Sequence, residues 1–224
     1  MNDKIRVMIM DDHQSIVDGY RYRLSQVPEI ELVATLAYGE ELEPALKEQP
    51  VDVLILDVHV PVSPKNPNPY PILYTIPRLL QRYPDLMILV ISMFGDRSLI
   101  RAVVDAGISG YILKSDSQLI QELGKTILSV VKGDIVFSEK AWKSFLGKKD
   151  EPFTPRQLEL LSLCAAYPNS KTAELARKMK IANSTLRNLL STVYIKLGVQ
   201  TRAAAIAKAR ELGIITPDSA TFQL

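Results

Sequence analysis

Along the first 131 positions, apolar residues follow two rhythms in turn. Short, largely apolar runs stand at about 5–10, 31–36, 53–57, 86–92 and 110–113. Between them, apolar residues return every three or four positions at about 14–26, 39–48, 72–82, 96–106 and 117–131. Largely apolar runs suit strands covered on both faces, and the longer period suits amphipathic helices. Five such units in succession predict a doubly wound, five-stranded parallel α/β sheet with helices on both faces.

Two stretches break the rhythm. Positions 61–71 hold five prolines, Pro61, Pro64, Pro67, Pro69 and Pro71, directly after the third run. Proline lacks an N–H and fixes φ, so the segment reads as a semi-rigid extended loop, neither strand nor helix interior. Gly133-Asp134 stops the fifth helix, Ser138 is placed to cap a short amphipathic helix carrying Trp142 and Phe145, and 147–152 reads as an exposed linker. Beyond it the pattern is helical throughout. Thr154 caps a helix that has Pro155 at its first position, and further helices are predicted at about 170–179, 183–197 and 201–212, with Gly198 and Gly213 as stops. The divisions are therefore 1–131, a linker with a short helix over 132–152, a second, all-α domain over 153–216, and a tail over 217–224.

Charge separates the same two parts. The net charge of +2 is made of −4 over residues 1–151 and +6 over 152–224. A small basic helical unit suggests nucleic acid as its partner. No stretch has the roughly 18 apolar residues of a membrane span, and no signal-peptide pattern opens the chain, so the expected location is cytoplasmic and no membrane partner is expected. The single cysteine, Cys164, sits in an apolar run and reads as a core residue; with only His13 and His59, no zinc cluster is recognisable.

Candidate chemistry gathers where strands end. Ile5 to Met10 runs into Asp11-Asp12, Val53-Leu54-Ile55-Leu56 into Asp57, and Tyr111-Ile112-Leu113 into Lys114. Open α/β sheets place their sites at these C-terminal strand ends. Adjacent carboxylates repel unless a cation joins them, and an oxygen-ligand site with open positions suits Mg²⁺ bridging to a phosphoryl group. Asp57 is then the candidate nucleophile, Lys114 a point charge for a phosphoryl oxygen, and Ser92, at the end of the fourth strand, a hydrogen-bond donor to another. Neither histidine is taken as a side-chain ligand.

Residues 1 to about 131 resemble a response-regulator receiver domain, which is flavodoxin-like. The matching pieces are Asp11-Asp12-His13, Leu56-Asp57 with Pro61 four residues on, Val90-Ile91-Ser92, and the run from Ala106 to Lys114. The resemblance implies that Asp57 is phosphorylated, that Asp11 and Asp12 hold Mg²⁺ together with the backbone carbonyl of His59, that Lys114 contacts the phosphoryl group, and that Ser92 and Tyr111 form the switch pair. Met93 stands where the family usually has a small residue, and Val60 where it usually has methionine.

Within the basic unit, a tight turn near Lys180-Ile181-Ala182 precedes a helix at about 183–196, the arrangement of a helix-turn-helix. Arg187, Asn188 and Ser191 share one face of that helix, while Leu186, Leu190 and Val193 share another. Arg187 suits guanine or phosphate, Asn188 adenine or phosphate, and Lys171, Lys196 and Arg202 are candidate phosphate contacts. The segments Phe153-Thr154-Pro155-Arg156, Thr172 to Ala176, Ser184 to Arg187 and Lys196 to Val199 resemble the LuxR-type helix-turn-helix, with Leu189 in place of a common histidine and Gln157 in place of a common glutamate. Together with the receiver, this resembles a NarL/FixJ-type response regulator. The resemblance implies a transcription regulator, not an enzyme, phosphorylated on Asp57 by a sensor histidine kinase and acting on promoter DNA as a homodimer when active. Two other readings are a regulator that binds DNA without phosphorylation and, more distantly, a Mg²⁺-dependent phosphohydrolase.

Overall fold

The computed structural model describes residues 4–146 and 153–217; the linker at 147–152 and most of the tail lie outside them. Its elements run β1 (Ile5–Met10), α1 (Gln14–Ser25), β2 (Ile30–Leu36), a 3₁₀ turn (Gly39–Glu41), α2 (Leu42–Glu48), β3 (Val53–Leu56), β4 (Pro61–Ser63), β5 (Asn66–Pro69), α3 (Ile72–Arg82), β6 (Met87–Ser92), α4 (Arg97–Asp105) and β7 (Gly110–Leu113). After them come α5 (Ser117–Gln121), α6 (Leu123–Val131), β8 (Val136–Phe137), α7 (Glu139–Leu146), α8 (Pro155–Ala166), α9 (Thr172–Lys178), α10 (Asn183–Leu197) and α11 (Arg202–Glu211).

The main sheet is parallel, in the order β2-β1-β3-β6-β7-β8. Alternate strand residues feed two cores. Val7, Ile9, Ile55, Leu89, Ile91 and Ile112 pack under α1 and α6. Met8, Met10, Leu54, Leu56, Ile88, Val90 and Tyr111 face the other way, toward α2, α3 and α4. Burial on both faces is why the sequence shows largely apolar runs and no alternation. No described helix is long and apolar enough to cross a membrane.

Three expectations are corrected. The sheet has six strands, not five: β8, two residues long, pairs in parallel with Gly110 and Tyr111. A strand that short leaves no apolar run in the sequence. The proline-rich segment is a two-stranded antiparallel hairpin, with Pro61 opposite Pro69 and Ser63 opposite Asn66, closed by the Tyr70 N–H donating to the Val60 carbonyl at 2.7 Å. Proline's fixed φ is compatible with extended backbone, and a two-stranded ribbon has outer edges where a missing N–H costs nothing. The fifth helix is divided into α5 and α6 at Glu122, whose φ of −95° and ψ of 26° leave helical geometry. Ser138 precedes α7 as expected, but its hydroxyl accepts from the Leu113 N–H at 3.1 Å, so it pins the linker to β7.

In the second unit Thr154 and Gln157 cap α8 reciprocally: the Thr154 N–H donates to Gln157 Oε1 at 3.0 Å and the Gln157 N–H to Thr154 Oγ1 at 3.4 Å. Gly198, at φ 66°, ends α10 in the left-handed conformation that glycine adopts without strain.

Candidate functional site

Register brings the acidic residues together. Met10 pairs with Leu56, and Leu56 with Val90, so Asp11 and Asp57 leave neighbouring strands at one level; the Asp57 N–H donates to the Met10 carbonyl at 2.9 Å. Ser92 pairs with Leu113, which sets Lys114 just beyond. The strand order reverses direction between β1 and β3, where such sheets open a crevice.

Lys114 Nζ lies 2.6 Å from Asp57 Oδ2 and 2.7 Å from Asp11 Oδ2. Asp57 is 4% exposed, and its other oxygen, Oδ1, accepts from the His59 N–H at 3.2 Å. Burial pushes the Asp57 carboxyl above its ordinary range, with Lys114 pulling it down and Asp11 pushing it further up. Burial works against the Lys114 ammonium as well, but Asp57 and Asp11 outweigh it and hold the lysine protonated. Asp11, Asp12, His13 and Asp57 each offer a ligand atom, all within 4.8 Å of one another. His13 Nδ1, 3.0 Å from Asp12 Oδ1, stands beside the cluster at the start of α1.

Ser92 and Tyr111 are both fully buried and connected through one residue. The Phe94 N–H donates to Ser92 Oγ at 3.2 Å, and the Tyr111 hydroxyl donates to the Phe94 carbonyl at 2.7 Å. Sequence reasoning missed this relay because it runs through backbone atoms. Met93 is 60% exposed and stands outside this buried chain.

On α10, Arg187, Asn188 and Ser191 are exposed, while Leu186, Leu190 and Val193 are buried. Lys171 is exposed at the start of α9. The other two candidate cations have internal roles: Lys196 Nζ donates to Gln157 Oε1 at 2.9 Å, and Arg202 Nη1 to the Pro168 and Ser170 carbonyls at 3.3 and 2.5 Å. Both are therefore tied to the scaffold that positions α8 and α9.

A family model described as the response regulator receiver domain matches residues 7–124. The chain belongs to the response regulator receiver family. Among curated proteins, this response regulator is 27% identical to the transcriptional regulatory protein DegU of Brevibacillus brevis, over 94% of this chain and 95% of that one. It is 26% identical to the transcriptional regulatory protein DesR of Bacillus subtilis (strain 168), over 93% and 98%. Among solved structures it resembles the complex of the two-component response regulator RcsB with DNA, at a TM-score of 0.58 and 25% identity over 96% of this chain and 100% of that one. A structure of the RcsB response regulator of Salmonella typhimurium gives 0.57 and 25% over 91% and 98%.

In this response regulator the helical unit rests on the receiver. Asn66 Nδ2, in the hairpin, donates to the Ala166 carbonyl at the end of α8 at 2.9 Å, and the Tyr74 hydroxyl donates to the Lys178 carbonyl at the end of α9. Arg78 lies 3.6 Å from Glu159. After α11, Thr216 Oγ1 donates to the Val58 carbonyl, one residue from Asp57, at 3.2 Å. Gly213, at φ 61°, passes so close that a Cβ there would stand 2.7 Å from Asp96. None of these contacts has a local signature, since each joins segments far apart in the chain.

Proposed function

We propose that Asp57 accepts a phosphoryl group from a sensor histidine kinase and that this controls transcription through promoter DNA bound by the helix-turn-helix. The observation that carries the reading is the placement of a buried Asp57 carboxylate between the carboxylates of Asp11 and Asp12 and the ammonium of Lys114. The oxygen donors fit Mg²⁺: the Asp11, Asp12 and Asp57 carboxylates and the His59 carbonyl would hold it, and when bound it supplies neutralising charge at the phosphoryl oxygens.

An oxygen of Asp57 attacks phosphorus, forming the acyl phosphate bond as the donor's bond to phosphorus breaks. Both Asp57 oxygens are engaged, one by Lys114 and the other by the His59 N–H. Each oxygen keeps a second lone pair, so attack can proceed beside these contacts, and Lys114 then follows the added charge to a phosphoryl oxygen. Ser92 turns its hydroxyl to another. That turn breaks its bond from the Phe94 N–H and disturbs the Phe94 carbonyl held by Tyr111, which carries the change into the loop before α4.

The divisions 1–131, 132–152 and 153–216 are taken as receiver, linker and DNA-binding unit of a cytoplasmic regulator that pairs with a second copy when phosphorylated. Arg187, Asn188 and Ser191 would read base edges, with Lys171 on phosphate. Intact mass after incubation with acetyl phosphate and Mg²⁺ tests the reading, with gel filtration on the same samples. One phosphoryl adduct is expected in the wild type and none in Asp57→Ala. An adduct that survives the substitution places the acceptor elsewhere, and no adduct in a chain that binds DNA supports phosphorylation-independent regulation.

A further inference from the structure

Between the receiver and the helical unit runs an open groove of about 750 Å³, lined by cations from both. Arg78 and Arg82 come from α3 of the receiver, Arg156 from the start of α8, and Lys180 from the turn between α9 and α10. The acidic groups in reach are Glu43, on the groove's wall, and Glu159, which Arg78 and Arg156 share at 3.6 and 2.8 Å. Four cations against two carboxylates leave the groove positive, and Arg82 and Lys180 are both exposed.

Position gives the charge its meaning. Lys180 lies three residues before Asn183, the first residue of α10, and the helix that follows such a turn enters the major groove by its N-terminal end. The turn itself then faces the sugar–phosphate strand bordering that groove. The Tyr74 bond to the Lys178 carbonyl fixes α3 beside the turn, so Arg82 continues the line of cations toward the receiver. In this docked arrangement the outer face of α10 stays open, with Arg187, Asn188 and Ser191 exposed.

We propose that this groove binds the phosphate backbone of duplex DNA, so that the receiver contributes Arg82 directly to DNA affinity alongside Arg156 and Lys180. The proposal rests on the DNA-binding reading above and adds a phosphate site that runs from the turn of the helix-turn-helix onto the receiver. Glu159 positions Arg78 and Arg156, and the Arg78 guanidinium also stacks 3.7 Å from the Tyr74 ring, so Arg78 steadies the groove wall.

Backbone contacts are independent of sequence, so a mixed-sequence duplex of about 30 base pairs serves as the probe for the full-length chain, by fluorescence anisotropy between about 50 and 200 mM salt. Each phosphate contact adds about 0.9 to the slope of log affinity against log salt, so Arg82→Gln should lower that slope by about 1 and weaken binding about five- to tenfold at about 0.1 M. Arg82→Lys should restore most of both, because a point charge suffices. Arg21→Gln, on α1 and outside the groove, should leave them unchanged, and Tyr74→Phe, which frees α3 from the turn, should reproduce part of the loss. A wild-type slope in Arg82→Gln overturns the proposal, and does so without touching the DNA-binding reading if Lys180→Gln and Arg187→Gln still weaken binding. A wild-type chain with no affinity for the duplex overturns both.

Discussion

At the scale of the residue, side chains at strand ends behave as their neighbours dictate. Asp52 shows this away from the site: it accepts from Arg6 Nε at 3.0 Å, from Arg6 Nη2 at 2.6 Å and from the Arg6 N–H at 2.7 Å. Those bonds hold its carboxyl below the ordinary 3.8, against the upward pull of partial burial. A depressed carboxyl stabilises the fold above its unfolded value and loses that contribution as pH falls through the folded one. Asp52→Asn should therefore cost about 1 kcal/mol at pH 7, and the gap to wild type in urea unfolding should begin to close below pH 3.8. A gap that is constant with pH would assign the loss to packing. The candidate site was legible because four strand ends carry its carboxylates, Ser92 and Lys114, each a residue type at a fixed place in an apolar rhythm. The relay through Phe94 was not, because its acceptor is a carbonyl oxygen and every residue has one.

Among elements, the hairpin of β4 and β5 departs most from what its residues announce. Five prolines in eleven positions deny the usual strand signal, yet a ribbon of two strands needs few N–H donors. Asn66 carries much of its role. Its Oδ1 accepts from the Asn68 N–H at 3.2 Å and from Asn68 Nδ2 at 2.6 Å, while its Nδ2 reaches the Ala166 carbonyl. Asn66→Ala should lower the unfolding free energy by about 1–2 kcal/mol and speed hydrogen exchange at residues 61–69. Unchanged exchange there would mean that the prolines alone hold the ribbon. By contrast, α3 and α10 were readable to within a residue or so, since their apolar faces recur at helical spacing and Gly198 stops α10, and the start of α8 was readable from Thr154 and Pro155. β8 was not, for two residues have no period.

For the whole molecule, one apolar core runs from the sheet through α3 and α4 into α8, joining Leu56, Ile76, Ala102, Phe153, Leu160 and Leu163. The charge division at residues 151 and 152 separates an acidic part from a basic one but says nothing of how they meet, because the hydrogen bonds from Asn66, Tyr74 and Thr216 that join them span 100 to 158 positions. A shared core predicts shared unfolding: calorimetry should give a single cooperative transition. Two separated transitions would mean that the units melt independently and that their contact contributes little.

The hairpin also has a history within each molecule's synthesis. Asn66 and its partner Ala166 are 100 residues apart, so at about 5–20 residues per second the ribosome delivers the partner roughly 5–20 s after the hairpin emerges. For that interval its docking face stands bare, and an ordinary exposed strand would offer a row of N–H groups to any other nascent chain. Pro61, Pro67 and Pro69 have none to offer. The residues that hide the hairpin from a sequence reader thus also keep it from pairing with the wrong chain before its own partner exists.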